Sequence, residues 1–244
     1  MTKKHILIIG ATGGIGSAIV RALAKKDAII FATGRDIGRL AKLEDDLKET
    51  KCEHQIYSLD LSDLKNIKIF ENAFRKQNTR LDWIIYCSGH IEKSETTRLL
   101  EIEEVDLTMK LNLLAPIELT HLFEKYIREG GGVLFISSTA GIWGNGEYPI
   151  YSTAKGALNN FAKSLAKKWG GEKKSMAICP GPTNTPMREI IANDAANHQD
   201  PKEVAAVAEK LIYDNDSRMN GNILVVRNGQ KSVLREELTT LENT

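Results

Sequence analysis

Short apolar runs alternate along this chain with segments of helical spacing, and that alternation limits the folds open to it. The runs are HILII (5–9), AIIFAT (28–33), HQIYSL (54–59), LDWIIYC (81–87), GGGVLFISS (130–138), SMAIC (175–179) and NILVV (222–226). Each is short, apolar and bounded by glycine or polar residues, as buried strands are. Between them Ile15, Ile19 and Leu23 recur at helical spacing, and residues 38–50, 103–128, 151–169 and 201–213 continue the helical pattern. A further helix is expected within DLSDLKNIKIFENAF (60–74), with Ser62 as its N-cap. Pro116 lies inside 103–128 and should kink or break that helix, because it has no N–H to donate. Strands joined by helix-length crossovers pair in parallel, and such a sheet is covered on both faces. The expectation is one α/β domain over residues 1–229, with a doubly wound, mostly parallel, seven-stranded central sheet. Residues 230–244 read as a polar C-terminal tail, either mobile or a short helix against a neighbour.

Bulk properties narrow the functional classes. The 244 residues are 42% hydrophobic and 27% charged, enough to bury a sizeable core. Lys+Arg of 33 against Asp+Glu of 32 leaves a formal net charge of +1. Such a balance creates no long-range field to gather nucleic acid or a membrane surface. No run approaches the roughly 18 apolar residues of a membrane span. The opening MTKKHILIIG runs straight into a glycine turn, unlike a secretory signal. Cys52, Cys87 and Cys179 are odd in number and widely spaced, which fits neither a disulfide framework nor a zinc site. A cytoplasmic protein without a metal is the expectation.

GATGGIG (10–16) joins the first strand to the first helix, with Gly10, Gly14 and Gly16 at offsets of 0, 4 and 6. Missing side chains allow a tight turn and let backbone N–H groups and a helix N-terminus approach a pyrophosphate. The spacing is neither G-x-G-x-x-G nor a P-loop. The second strand ends ATGRD (32–36). A guanidinium at Arg35, beside the adenosine ribose, suits the 2′-phosphate of NADP, while Asp36 keeps NAD open. Asp60 and Leu61 follow the third strand where an adenine edge is contacted, or simply enter the next helix.

YPIYSTAKGAL (148–158) places Tyr151 four residues before Lys155, on one helix face. An adjacent ammonium stabilises a phenolate. A pKa lowered by about three units represents roughly 4 kcal/mol and makes the phenol a proton relay for a carbonyl or an alcohol. Lys155 also has the reach to bind a nicotinamide ribose. Ser138, ending the fifth strand, can hold a substrate oxygen beside that phenol. Ser137 competes for the role, because strand alternation sends the two hydroxyls to opposite faces. Asn112, an amide inside a helix, has a candidate role in a water-linked contact to Lys155.

These motifs resemble those of the short-chain dehydrogenase/reductase family over residues 5–229. Its T-G-x-x-x-G-x-G turn is matched by IGATGGIG, with Ile9 for threonine. Its N-A-G motif appears as Cys87-Ser88-Gly89, and its helical asparagine, serine and Y-x-x-x-K appear as Asn112, Ser138 and Tyr151 to Lys155. Its P-G motif appears as PGPTNTPM (180–187), with Thr185 near the nicotinamide carboxamide. The resemblance implies a Rossmann-like fold. It also implies a cofactor site of Gly10, Thr12, Gly13, Gly14, Ile15, Gly16, Arg35, Asp60, Leu61, Cys87, Ser88, Gly89, Tyr151, Lys155, Pro180, Gly181, Thr183 and Thr185. Tyr151 rather than Tyr148 becomes the acid/base. Departures are Cys87 and Ser88 in the N-A-G position, Met176 for asparagine, VVRNG for V-D-G-G, and a short lid between Met187 and Pro201.

The leading reading is an NADP-preferring oxidoreductase of a small carbonyl or alcohol, with Asn112, Ser138, Tyr151 and Lys155 catalytic. A non-catalytic dinucleotide sensor and a redox-neutral epimerase or dehydratase are the alternatives. Substrate-wall candidates are His90, Ile91, Glu92, Gly141, Ile142, Trp143, Glu147, Tyr148, Met187 and Ile190, with no arginine clearly placed for a carboxylate. Family members are usually tetramers or dimers, and Ala157, Leu158, Phe161, Leu165 and Ala166 offer apolar positions for a partner helix.

Overall fold

A computed structural model describes residues 3–92, 101–191, 198–214 and 216–234. Among them the strands are β1 Lys4–Ile9, β2 Ala28–Gly34, β3 Glu53–Ser58, β4 Leu81–Tyr86, β5 Ile127–Ile136, β6 Lys174–Pro180, β7 Ile223–Arg227 and β8 Gln230–Val233. They form one sheet in the order β3-β2-β1-β4-β5-β6-β7-β8. Every neighbouring pair is parallel except β7 with β8. The helices are α1 Gly14–Leu23, α2 Ile37–Glu49, α3 Lys65–Arg75, α4 Ile102–Met109, α5 Ala115–Phe123, α6 Ala140–Trp143, α7 Pro149–Trp169, α8 Pro186–Ile191 and α9 Pro201–Asp214. No described helix is long and apolar enough to cross a membrane.

Strand alternation builds two cores. Ile6 and Ile8 of β1 point to the face covered by α1 and α9, where they join Ile19, Leu23, Val204 and Ile212. Leu7 and Ile9 point to the other face, with Phe70, Phe74, Phe123 and Leu158 from α3, α5 and α7. Both faces are buried, so the strands are almost continuously apolar. The strand order reverses between β1 and β4, and a crevice at such a switch point, outside the carboxyl ends, is where doubly wound sheets bind ligands.

Three local expectations change. The sheet has eight strands rather than seven, because residues 230–233 form β8 instead of a loose tail or helix. Asn228 at φ 48° and Gly229 at φ 76° make the two-residue turn that an antiparallel hairpin requires. The rest of that tail, 235–244, lies outside the described residues. Ser62 does not cap a helix. The Asp60 carboxylate accepts its N–H at 2.9 Å, Asp63 accepts the Lys65 N–H at 3.0 Å, and α3 begins only at Lys65. Two successive aspartate turns thus outcompete the serine cap.

The interruption expected at Pro116 takes the form of a π-helical turn just before it, and α5 starts with the proline in its first turn. Residues Lys110–Leu114 widen into a π-helical turn between α4 and α5. In it the Ala115 N–H bonds to the Lys110 carbonyl, five residues back. The Leu111 carbonyl would need the N–H that Pro116 lacks. Tyr86, at the end of β4, donates its hydroxyl to that carbonyl at 3.0 Å. A proline-induced gap is thereby closed by a side chain from the sheet.

Candidate active site

The turn after β1 is shaped by backbone crowding. Gly10 has φ 79°, and a side-chain carbon there would lie 2.7 Å from the Ser88 nitrogen, so this turn packs directly on the turn after β4. A side-chain carbon at Gly16 would lie 2.2 Å from the Gly10 carbonyl oxygen, and only glycine lets α1 start so close. The N-terminus of α1 has Gly13 at its N-cap, no side-chain cap and no acid in its first turn. The first amides of a helix lack intrahelical acceptors, so those of Gly14, Ile15 and Gly16 suit an anion such as a pyrophosphate. Thr12 lies against the end of β2, its hydroxyl 2.7 Å from where a side chain on Gly34 would begin.

Arg35 is exposed immediately after β2. The Asp36 carboxylate accepts the Arg39 N–H at 2.9 Å through Oδ1 and caps α2. The Asp60 carboxyl is held below its usual range chiefly by the Ser62 N–H, with a smaller contribution from the Arg35 charge. The Leu61 side chain is buried in the core. These residues fit a dinucleotide with its adenosine end beside Arg35.

Four loops converge where the other end would lie. Asn112, fully buried in the π turn, donates to the His90 carbonyl at 2.6 Å and to the Thr108 carbonyl at 2.8 Å, and accepts the His90 N–H at 3.3 Å. A side-chain carbon on Gly89 would meet Asn112 Oδ1 at 2.7 Å and Lys155 Nζ at 3.5 Å. The asparagine thus holds the loop after β4. Burial pushes the Cys87 thiol up to about 12, so it stays neutral. From β6, Pro180 accepts the Thr139 N–H at 3.0 Å, and the Gly181 N–H bonds to Val226 at 2.9 Å. Thr183 is buried and donates to the Gly181 carbonyl at 2.8 Å. Thr185 closes over α1, with its methyl 2.5 Å from where a side chain on Gly14 would begin.

Two successive hydroxyls part company after β5. Ser137 is buried and donates to the Lys155 carbonyl at 3.1 Å. Ser138 lines the cleft together with Tyr151 and accepts the Ala140 N–H at 3.1 Å. Lys155 is 3% exposed and donates to the Ile136 carbonyl at 3.0 Å, with Nζ 5.6 Å from the Tyr151 ring centre. The pair does not show the lowered phenol expected from its spacing. Burial lifts Tyr151 to about 12, against a smaller opposing effect of Ser138, and burial lowers Lys155 to about 8. In this state desolvation dominates both groups, and the phenol stays protonated.

The cleft over Tyr151 has a volume of about 220 Å³ and is walled by Ile91, Trp143, Tyr148 and Met187. His90, Glu92, Gly141, Ile142 and Glu147 are not among its walls. His90 pairs with Glu104 at 2.8 Å, and Gly141 packs on the α7 backbone, where a side chain would meet the Lys155 carbonyl carbon at 2.5 Å. The side chain of Ile190 and part of the expected lid, 192–197, lie outside the described residues. Arg188, which the sequence did not mark as placed for a substrate carboxylate, lines the cleft, with its Nε donating to His198 Nε2 at 3.2 Å. Gln199 also escaped the sequence. Its amide donates to Thr183 at 3.0 Å and Val226 at 3.1 Å and accepts the Asn228 N–H at 3.2 Å, tying the loop after β6 to the end of β7.

An uncapped helix over a glycine turn, beside a tyrosine–lysine pair at the carboxyl edge of a doubly wound sheet, is an arrangement suited to an NAD(P)-dependent oxidoreductase. The chain matches the short chain dehydrogenase family over residues 4–196 and belongs to it. It is 26% identical over 240 residues to 3-oxoacyl-[acyl-carrier-protein] reductase FabG of Thermotoga maritima, covering 93% of this chain and 97% of that one. Its fold is shared with actinorhodin polyketide ketoreductase solved with NADPH, at TM-score 0.84 and 23% identity, covering 94% of this chain and 98% of that one. It is shared too with a Burkholderia cenocepacia short chain dehydrogenase in complex with NADP, at TM-score 0.82 and 20% identity, over 93% and 98% of the two chains.

Proposed function

We propose that this protein interconverts a carbonyl compound and its alcohol, preferring NADP to NAD. The observation that supports the reading is that Ser138 and Tyr151 line one cleft, with the Lys155 ammonium 5.6 Å from the Tyr151 ring centre. The nicotinamide, when bound, supplies or accepts the hydride. In the reducing direction Ser138 donates to the substrate oxygen and holds it, and the Tyr151 hydroxyl gives that oxygen its proton. Lys155, one helical turn away, stabilises the phenolate left behind. Asn112 keeps the loop of Gly89 and His90 in place beneath them.

Trp143, 62% exposed, with Ile91, Tyr148 and Met187 gives the cleft an apolar side suited to an apolar or ring-bearing substrate, and Asn145 and Arg188 add polar groups to its lining. The test is a panel of aryl and cyclic ketones, β-keto thioesters and polyols with NADPH and NADH, followed at the nicotinamide absorbance. Consumption of NADPH with an apolar ketone is expected. A panel without any turnover counts against the reading.

Cofactor preference rests on Arg35. A guanidinium–phosphate contact is a charge-assisted pair, and its loss costs on the order of 1.5–3 kcal/mol. Arg35→Ala should therefore weaken NADPH binding about ten- to a hundredfold and NADH about twofold or less, as titration of nicotinamide fluorescence would show. Equal losses for both cofactors would mean that Arg35 does not read the 2′-phosphate.

We also infer a homo-oligomer, a tetramer or a dimer. Leu158, Leu165 and Ala166 are buried within the chain itself and are not free for a partner. Ala157 and Phe161 remain half-buried on α7, and Ile102 and Leu114 are exposed near α4 and α5. Sedimentation as a monomer at micromolar concentration would remove this inference.

A further inference from the structure

The helix that carries Tyr151 begins without a cap of its own. Its N-cap residue is Tyr148, whose side chain makes no capping bond. Pro149 has no N–H, and the Ser152 N–H already reaches the Tyr148 carbonyl at 3.0 Å. The amides that need an outside acceptor are those of Ile150 and Tyr151. One carboxylate serves both. Glu92 Oε1 accepts the Ile150 N–H at 2.9 Å and the Tyr151 N–H at 3.1 Å, and Oε2 accepts the Tyr151 N–H at 3.0 Å.

Glu92 is 1% exposed. A carboxylate tolerates such burial only when its charge is answered, and here the answer is a pair of charge-assisted bonds at the positive end of a helix. Glu92 also stands three residues beyond Gly89, on the loop whose His90 backbone Asn112 grips from both sides. One short segment therefore touches the cofactor turn at one end and the proton-transfer helix at the other.

We propose that Glu92 is a positioning residue: its carboxylate fixes the Tyr151 backbone to the loop after β4 and so sets where the phenol meets the substrate oxygen. This rests on the carbonyl–alcohol reading. Its test uses the full chain saturated with NADPH and, as substrate, the best ketone of the panel above. In Glu92→Ala, the Ile150 and Tyr151 amides should exchange with solvent about tenfold faster or more, while later amides of α7 keep their protection. The kcat should fall about ten- to a hundredfold with the NADPH Kd within about twofold, because misplacement by a fraction of an ångström acts on the chemical step. Glu92→Gln keeps an oxygen acceptor in the same place and should recover most of the kcat. Should the alanine variant fail to fold, Glu92→Asp, which draws the carboxylate back by one methylene, should show the same pattern at smaller amplitude.

An alanine variant that exchanges and turns over like wild type overturns the proposal. So does a loss of kcat matched by an equal loss of NADPH affinity, the mark of general loosening. Wild-type protein that reduces no ketone removes the redox reading and the proposal with it. Unchanged amide exchange alongside intact wild-type turnover removes the proposal alone.

Discussion

Tyr151→Phe is expected to lower turnover about a thousandfold while leaving NADPH affinity within about twofold, since positioned proton transfer contributes typically 10²–10⁴ in rate. The substitution removes one hydroxyl and nothing else. The ring still fills its half-buried position, Lys155 still donates to Ile136, and Ser138 still faces the cleft. The cradle of Gly14, Ile15 and Gly16 lies on another helix and is untouched. Burial lifts the phenol to about 12 and keeps it neutral, so its loss removes a polar group rather than a charge, and stability should change by about 1 kcal/mol or less. Steady-state rates with the responsive ketone, set against cofactor titration of the same variant, separate chemistry from binding. A variant that keeps wild-type kcat would take the acid/base role from Tyr151. One that loses NADPH binding in step with kcat would show that the phenol holds cofactor instead.

The sheet was readable because parallel strands buried on both faces are apolar at every position, and Ile6 through Ile9 need no alternation to declare themselves. The edge strand β8 offers no such signal, since Gln230, Lys231, Ser232 and Val233 are all exposed. Its notice in the sequence was the Asn228-Gly229 pair after an apolar run, a hairpin signal that the polarity of the following residues masked. The serine at position 62 looked like a cap only while Asp60 and Asp63 were ignored as turn formers. The glycine turn, Ser138, Tyr151 and Lys155 stood out because short spacings on one strand or helix carry them together. Glu92 meets amides 58 and 59 residues away, and Arg188 enters the cleft from the segment after β6; no local pattern announces either. Burial worked against the sequence reading as well. Spacing alone brings an ammonium near a phenol, but only the fold shows that both groups lose their water and that desolvation governs the result.

Glu71→Ala is expected to lower stability by about 2–3 kcal/mol at neutral pH, with an effect that fades in acid. The Glu71 side chain is fully buried on α3, and Tyr126 donates to it at 2.5 Å, Lys68 at 2.9 Å and Lys125 at 2.9 Å. Tyr126 is held for this contact by Phe74 and Phe123, whose ring centres lie 5.5 Å from its own. These bonds, the Tyr126 hydroxyl first, pull the carboxyl from 4.5 down to about 2. Both lysines are more than half exposed, so water screens part of their contribution and the lower end of the range is the safer figure. The folded protein thus holds the proton less readily than the unfolded chain. The stabilisation is therefore complete above about pH 4.5 and lost as the pH falls towards 2. The gap between wild type and Glu71→Ala in urea midpoint should accordingly narrow from about pH 7 to about pH 3. Glu71→Gln, which keeps acceptor geometry without the charge, should show less pH dependence than wild type. A gap of the same size at both pH values would mean that the residue acts through packing, and that its ionisation contributes nothing. The expected coupling also has a place in the fold: the pair of Lys125 and Tyr126 lies in the turn that launches β5, the strand that leads into Ser137 and Ser138. Loosening it should first appear as thermal sensitivity of turnover, with kcat at low temperature unchanged.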